Sequence, residues 1–318
     1  MEPTCIGIDV SKDRLDVACH PAGEAFAVGR DAAGLDALVE RLRPLAPQLV
    51  ALEATGGYES VVAATLGAAG LPVVVVNPAQ VRDFARALGR RAKTDPIDAA
   101  VIAHFAAATR PGLRPLPDAA TEHLAALLAR RRQIIAMMVA ERQRQGRFAA
   151  TRSPATERLQ KSIARLLAAL QKELCEVDRE IDEAVRDTPA WRDRETLLVS
   201  VPGVGPVIAR TLLAEMPELG RLDRREIAAL AGLAPWTRQS GQWKGRSFID
   251  GGRAVVRAAL FMGAITAARH NPALKAFRER LLAAGKPRLV ALIAVARKLL
   301  TILNAIARTG KPWRNAET

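Results

Sequence analysis

Residues 4–30 read TCIGIDVSKDRLDVACHPAGEAFAVGR. TCIGIDV is a short apolar run that ends in an acid. RLDVACH and EAFAVGR follow, separated by PAGE, a hairpin-type turn, so three adjacent strands are expected at the start of the chain. Outward from there the pattern changes. Asp31 to Leu45 has helical spacing, with Leu35, Leu38 and Leu42 on one face. QLVALEA reads as a strand closing on Glu53, and GGYESVVAATLGAAG as a helix between glycines. LPVVVVNP reads as a buried strand, a β-branched run stopped by Asn-Pro. A helix from about Gln80 to Leu88, a basic link GRRAK and a helix from Asp95 to about Thr109 complete the segment.

Three adjacent strands, then helix–strand–helix–strand–helix, is an α/β sheet in the ribonuclease H order. That order sets the first and fourth strands side by side. Asp9 and Glu53 then project at one edge, beyond which the functional crevice of an open sheet lies. KTDPIDAAVIAHF, from Lys93, brings Asp95 and Asp98 to the same edge at the head of the last helix. Four carboxylates at one point repel strongly unless cations sit between them. Mg²⁺, a hard ion that takes carboxylate and phosphate oxygens, suits them, and two such ions can clamp a scissile phosphodiester. Ordinary roles exist for each acid alone. Asp95, between Thr94 and Pro96, makes a good N-cap, and Asp98 favours the helix dipole. Asp9 could cap a turn with Ser11. Glu53, closing a core strand, is costly to bury unless used. Asp13, Asp16 and Glu59 lie nearby, with Asp16 the best substitute ligand.

Beyond a linker at 111–117, residues 118–187 look like two long helices with a bend at QGRFAATRSP. In the second, Leu159, Ile163, Leu166, Leu170, Leu174, Val177, Ile181 and Val185 step by three or four, a heptad-like seam. The seam serves either a coiled-coil arm that pairs with another copy or a hairpin that closes on itself. From Trp191 the pattern is mainly helical. The expected division is 1–112, 113–188 and 189–318.

The 318 residues carry a formal net charge of +14. Residues 1–188 hold 25 Lys+Arg against 24 Asp+Glu, and residues 189–318 hold 22 against 9. The basic excess therefore lies in the last third and points to a polyanionic partner there. Three scattered cysteines, with no CxxC, fit neither a disulfide framework nor a zinc site and suit a reducing compartment. MEPTCIGIDV has no basic segment followed by a long apolar one, so no signal peptide is expected. LVALIAVARKLLTILNAIA is interrupted by Arg297 and Lys298 and reads as a core helix, not a membrane span.

Within the basic third, VPGVGPVIARTLL resembles a helix-hairpin-helix, whose Gly203 and Gly205 let backbone N–H groups approach a phosphate. A tight interhelical turn that touches nothing is the ordinary alternative. In GLAPWTRQSGQWKGRSFIDGGRAVVRAALF, Ser240 sits among Arg238, Lys244, Arg246 and Arg253. A serine in such company is either a phosphate contact or a nucleophile at phosphorus. Spacing alone favours simple contact, with Ser247 a competitor. Trp236 and Trp243 could stack on bases or pack on a helix edge.

GIDVSKDRLDVA, ALEATGGYE, KTDPIDA, SVPGVGPVIARTLLAE and LAGLAPWTRQSGQWKGRSFIDGGRAVVRAAL occur in the order found in insertion-sequence 110 family transposases, the DEDD transposases, and the chain resembles that family over nearly its whole length. The segment 118–187 matches only in helical character. The resemblance implies a RuvC-like (ribonuclease H) N-terminal domain, a coiled-coil arm and a C-terminal transposase domain. It places the DEDD acids on Asp9, Glu53, Asp95 and Asp98, and the family's serine on Ser240, here as a nucleophile that links transiently to DNA. It also implies Mg²⁺, donor and target DNA, a structured non-coding (bridge) RNA as guide, and a homo-oligomer, dimer or tetramer. In that assembly the acids of one subunit meet the serine of another. The setting implied is the bacterial cytoplasm, at the nucleoid when acting, without a membrane.

Three other readings use parts of the same pattern. A hydrolytic RuvC-like Holliday-junction nuclease needs the four acids but treats Ser240 as a contact. An actin-like sugar kinase shares the acid at the end of the first strand, but no second Gly-rich phosphate loop is present and the basic last third is foreign to it. A non-enzymatic nucleic-acid scaffold would tolerate loss of Asp9 and Glu53.

Overall fold

In the computed structural model, described for residues 3–90, 94–113, 118–149, 154–237, 239–241, 243–245 and 247–314, the chain forms two compact units, Met1–Leu116 and Pro117–Thr318. In the first, β1 (Cys5–Val10), β2 (Arg14–His20), β3 (Ala25–Gly29), β4 (Leu49–Glu53) and β5 (Val73–Val76) form one sheet in the order β3-β2-β1-β4-β5. β1 and β2, and β2 and β3, pair antiparallel; β1–β4 and β4–β5 are parallel. This is the ribonuclease H order.

Strand alternation assigns the faces. Ile6, Ile8 and Val10 of β1, with Val50 and Leu52 of β4, pack under α1 (Ala32–Leu42) and α2 (Tyr58–Ala68). Cys5, Leu49 and Ala51 point the other way, toward α3 (Pro78–Ala87) and α4 (Asp95–Thr109). Asp9 and Glu53 continue that second set, so alternation delivers both acids to the α4 side. Gly7 makes the approach of α4 possible. A Cβ there would lie 2.2 Å from the backbone of Ala99 and Ala103, so the helix lies directly against the strand. α1 stops two residues before Pro44 and passes into a 3₁₀ turn, Arg43–Leu45, which ends at Ala46 with φ 41°.

In the second unit α5 (Ala119–Ala149) and α6 (Pro154–Asp187) pack on each other. Arg131 pairs with Asp178 at 2.6 Å, and Gln160 donates to the Phe148 carbonyl at 3.1 Å, so the two helices run antiparallel as a hairpin. Val177, Ile181 and Val185 of the seam bury against Leu124, Leu128, Ile134 and Met138 of α5. Leu159 and Leu166 do not bury; both stay 46% exposed. The seam thus finds its partner within the chain over its C-terminal half.

The remaining helices are α7 (Pro189–Val199), α8 (Pro206–Glu215), α9 (Arg224–Leu230), α10 (Ala254–His270), α11 (Pro272–Ala283) and α12 (Arg288–Thr309). α12 is long and apolar enough to cross a membrane, but Ala291, Val295, Leu299, Leu300 and Leu303 are fully buried against α7, α9, α10 and α11. Its one buried polar residue satisfies a loop: Asn304 accepts from the Gly220 N–H at 2.7 Å and donates to the Leu222 carbonyl at 2.9 Å. Between α9 and α10 lie four two-residue strands that helical periodicity gave no sign of: β6 (Pro235–Trp236) pairs β9 (Phe248–Ile249), and β7 (Gln239–Ser240) pairs β8 (Trp243–Lys244).

Candidate active site

Asp9, Glu53, Asp95 and Asp98 line one cavity of about 600 Å³ at the strand ends of the first unit. Each arrives for a local reason. Asp9 is the last inward position of β1 on the α4 side, one residue past the Ile8–Leu52 pair that sets β1 beside β4. Glu53 ends β4 on the same face. Asp95 and Asp98 occupy the first turn of α4, where a carboxylate also suits the positive end of the helix. The expected N-cap is corrected by one residue: Thr94 takes that position, Asp95 is the first helical residue and Pro96 the second. Thr94 makes no side-chain capping bond.

The crowding has an electrostatic consequence. Burial first, then the charges of Asp98, Asp95, Glu53 and Asp16, push the Asp9 carboxyl up to about 6. The neighbouring acids are spoken for. Asp16, directly across from Asp9 in the β1–β2 register, is buried, and Arg14 donates to both its oxygens at 2.7 and 3.0 Å. Glu59 accepts from Thr55 and Gly57 at the start of α2, which holds its carboxyl below the usual range despite burial. Ser11 closes its own turn with Arg14 and leaves Asp9 no capping role.

No group of three or more His, Cys, Asp or Glu side chains among the described residues lies within joint ligating reach of one point. The donor set nevertheless fits a hard divalent cation: all oxygen, strongly anionic, and in a cavity with room for the water and phosphate oxygens that such an ion retains. Sequence reading missed a basic part of the lining. Arg82 and Arg86 of α3, and Arg90 just beyond it, line the same cavity. Their spacing of four stands in RDFARALGR, where the sequence alone shows only a helix and a basic link.

Ser240 lies in the second unit, on the β7–β8 ribbon opposite Trp243, with Gly241 at φ 56° behind it. It is exposed, and among the described residues its hydroxyl makes no hydrogen bond. Ser247 faces the Thr237 hydroxyl at 3.4 Å. Trp236 opposes Phe248 in the other ribbon and is 60% exposed. Arg238 and Arg246 lie outside the described residues, as does the Lys244 side chain. Arg253 is held elsewhere than expected: its guanidinium forks onto Glu218 at 2.6 and 2.7 Å and reaches the Glu215 carbonyl at 2.9 Å. Gly203, at φ 106°, is likewise explained by packing, since a Cβ would sit 2.5 Å from Ala267 of α10. Gly205 caps α8 with open space around it.

Comparison with known proteins bears on the whole chain. Residues 6–148 match the DEDD domain of the IS110 group, described as Transposase, and residues 195–279 match the domain described as Transposase IS116/IS110/IS902 family. Pilin gene-inverting proteins of Moraxella bovis and Moraxella lacunata are each 29% identical over 325 residues, 98% of this chain and 98% of their own length. An uncharacterized 43.6 kDa protein of insertion element IS110 from Streptomyces coelicolor is 29% identical over 151 residues, 47% of this chain and 36% of its own. The two matched domains flank the α6 hairpin helix in the order the motifs predicted, and the chain belongs to the IS110 family of transposases, enzymes of DNA recombination.

Proposed function

We propose that this transposase cuts and rejoins DNA with a Mg²⁺-dependent carboxylate site, Asp9, Glu53, Asp95 and Asp98, and a serine nucleophile, Ser240. The observation that carries the reading is the convergence of the four acids on one cavity, with Asp9 pushed up to about 6 by burial and by the others. Such mutual repulsion costs stability and is understandable where charge is kept for a bound cation and phosphate. Bound there, Mg²⁺ would neutralise the acids, polarise the scissile phosphate and favour the ionised serine hydroxyl.

The protein's own groups do the rest. The Ser240 oxygen attacks phosphorus, one strand oxygen leaves and takes up a proton, and a serine phosphodiester remains. A hydroxyl of the incoming strand then attacks that ester and releases serine. Because the ester conserves the bond energy, rejoining needs no nucleotide cofactor. The exposure of Ser240 on a narrow ribbon supports access to a backbone. The inversion named in the two Moraxella relatives fits this chemistry, since inversion also requires each cut strand to be rejoined. The five-motif resemblance further supports guidance by a structured RNA, with base pairing supplying sequence choice, and action as a homo-oligomer, dimer or tetramer.

The test uses DNA spanning an element's ends and its target, with the RNA and Mg²⁺. Wild type should exchange strands, Asp9→Ala and Glu53→Ala should not cut, and Ser240→Ala should lose both cutting and rejoining while Ser247→Ala keeps them. Cleavage unchanged in Ser240→Ala would point to the hydrolytic nuclease.

A further inference from the structure

We infer that Arg82, Arg86 and Arg90 form a DNA-backbone wall opposite the four acids, so that a DNA strand threads the cavity between α3 and α4. The inference rests on the carboxylate site proposed above and adds a substrate-binding surface to it.

The cavity is two-faced. Carboxylates stand on the β1, β4 and α4 side, and three guanidinium-bearing residues on the α3 side, over a floor of Val81, Ala85 and Val101. All three arginines are exposed. Arg82 and Arg90 make no side-chain ion pair among the described residues, and Arg86 pairs only with exposed Asp83, at 3.2 Å. The guanidiniums are therefore not tied to the acids they face. A lone cation would be repelled by one wall and a lone anion by the other. A phosphodiester strand accompanied by divalent cations satisfies both at once. Arg82 and Arg86 are one helical step of four apart, about 6 Å along the axis. A DNA strand presents a charge roughly every 3.4 Å of duplex axis, so two arginines on successive turns span about two phosphate steps and can meet phosphates of one strand. Arginine also binds phosphate as a planar fork, which fixes a strand's direction as a point charge cannot.

The experiment measures binding of mixed-sequence single-stranded DNA to the full chain in EDTA, so that nothing is cut, across a salt series. Two triple variants are compared with wild type: R82A/R86A/R90A and R82K/R86K/R90K. Counterion release predicts that the alanine variant loses about 2 from the slope of log K against log salt, roughly 0.7 per arginine, while the lysine variant keeps the slope. The Mg²⁺-induced rise in melting temperature should persist in the alanine variant, which shows the acid site intact. An unchanged DNA slope in the alanine variant overturns the inference, as does a loss confined to RNA. Either result leaves the carboxylate site standing if Asp9→Ala still abolishes cutting. If Asp9→Ala cuts normally, the site reading itself fails, whatever the slope.

Discussion

Replacing Asp9 with Asn should stabilise the metal-free protein while abolishing recombination. The Asp9 carboxyl moves from its ordinary 3.8 to about 6, chiefly through burial and then through Asp98, Asp95, Glu53 and Asp16. The folded protein thus holds this proton more tightly than the unfolded chain. The destabilisation is absent below the unfolded value, grows as pH rises, and is complete above about 6. The shift converts to an upper limit of about 3 kcal/mol. Solvent screening at this half-buried group brings it to roughly 1–2 kcal/mol. Asn removes the charge and keeps the shape, so its gain should be full near pH 8 and fall by about half near pH 5. In EDTA the transition of the sheet unit should rise by roughly 3–8 °C. Mg²⁺ should then raise wild type more than the variant, because binding to the native state adds stability in proportion to affinity. An Asn variant that melts below wild type near pH 8, or one that gains as much from Mg²⁺ as wild type does, would refute the reasoning.

Three further outcomes follow from packing. Gly7→Ala forces β1 away from the backbone of Ala99 and Ala103, so it should cost about 3 kcal/mol or more and, by shifting Asp95 and Asp98, weaken the Mg²⁺ response; thermal melts with and without Mg²⁺ measure both. Arg253→Ala leaves Glu218, largely buried, without its fork and should cost roughly 2–3 kcal/mol in denaturant unfolding of the second unit, with little change in the salt slope of DNA binding. Asn304→Ala strands the Gly220 N–H, while the Leu222 carbonyl keeps Arg308 as a donor, so it should cost about 1–2 kcal/mol by the same measurement.

Much of the first unit was legible because its signals are local and agree. The β-branched run before Asn77, the acid at the end of each of two parallel neighbours and the Asp-Pro helix start all act over a few residues. Period-2 alternation then carried Asp9 and Glu53 to one face without any knowledge of packing. What stayed hidden depended on distant partners. Nothing local to Gly203 shows that Ala267 packs against it, and nothing local to Arg253 shows that Glu218 takes its fork. The α3 arginines needed the cavity before their spacing meant anything. In α6 the heptad pattern was sound near Ile181, where α5 lies alongside, but it could not show that Leu159 and Leu166 remain uncovered. The ribbons around Ser240 are two residues per strand, too short for periodicity to register.

The central claim is that Ser240 is the nucleophile and that the acids serve it. The most direct measurement is to trap the protein–DNA adduct in Mg²⁺, digest it, and map the modified peptide by mass spectrometry. The account predicts an adduct on Ser240 that disappears in Asp9→Ala. Efficient cutting by wild type with no adduct, unchanged in Ser240→Ala, would contradict it.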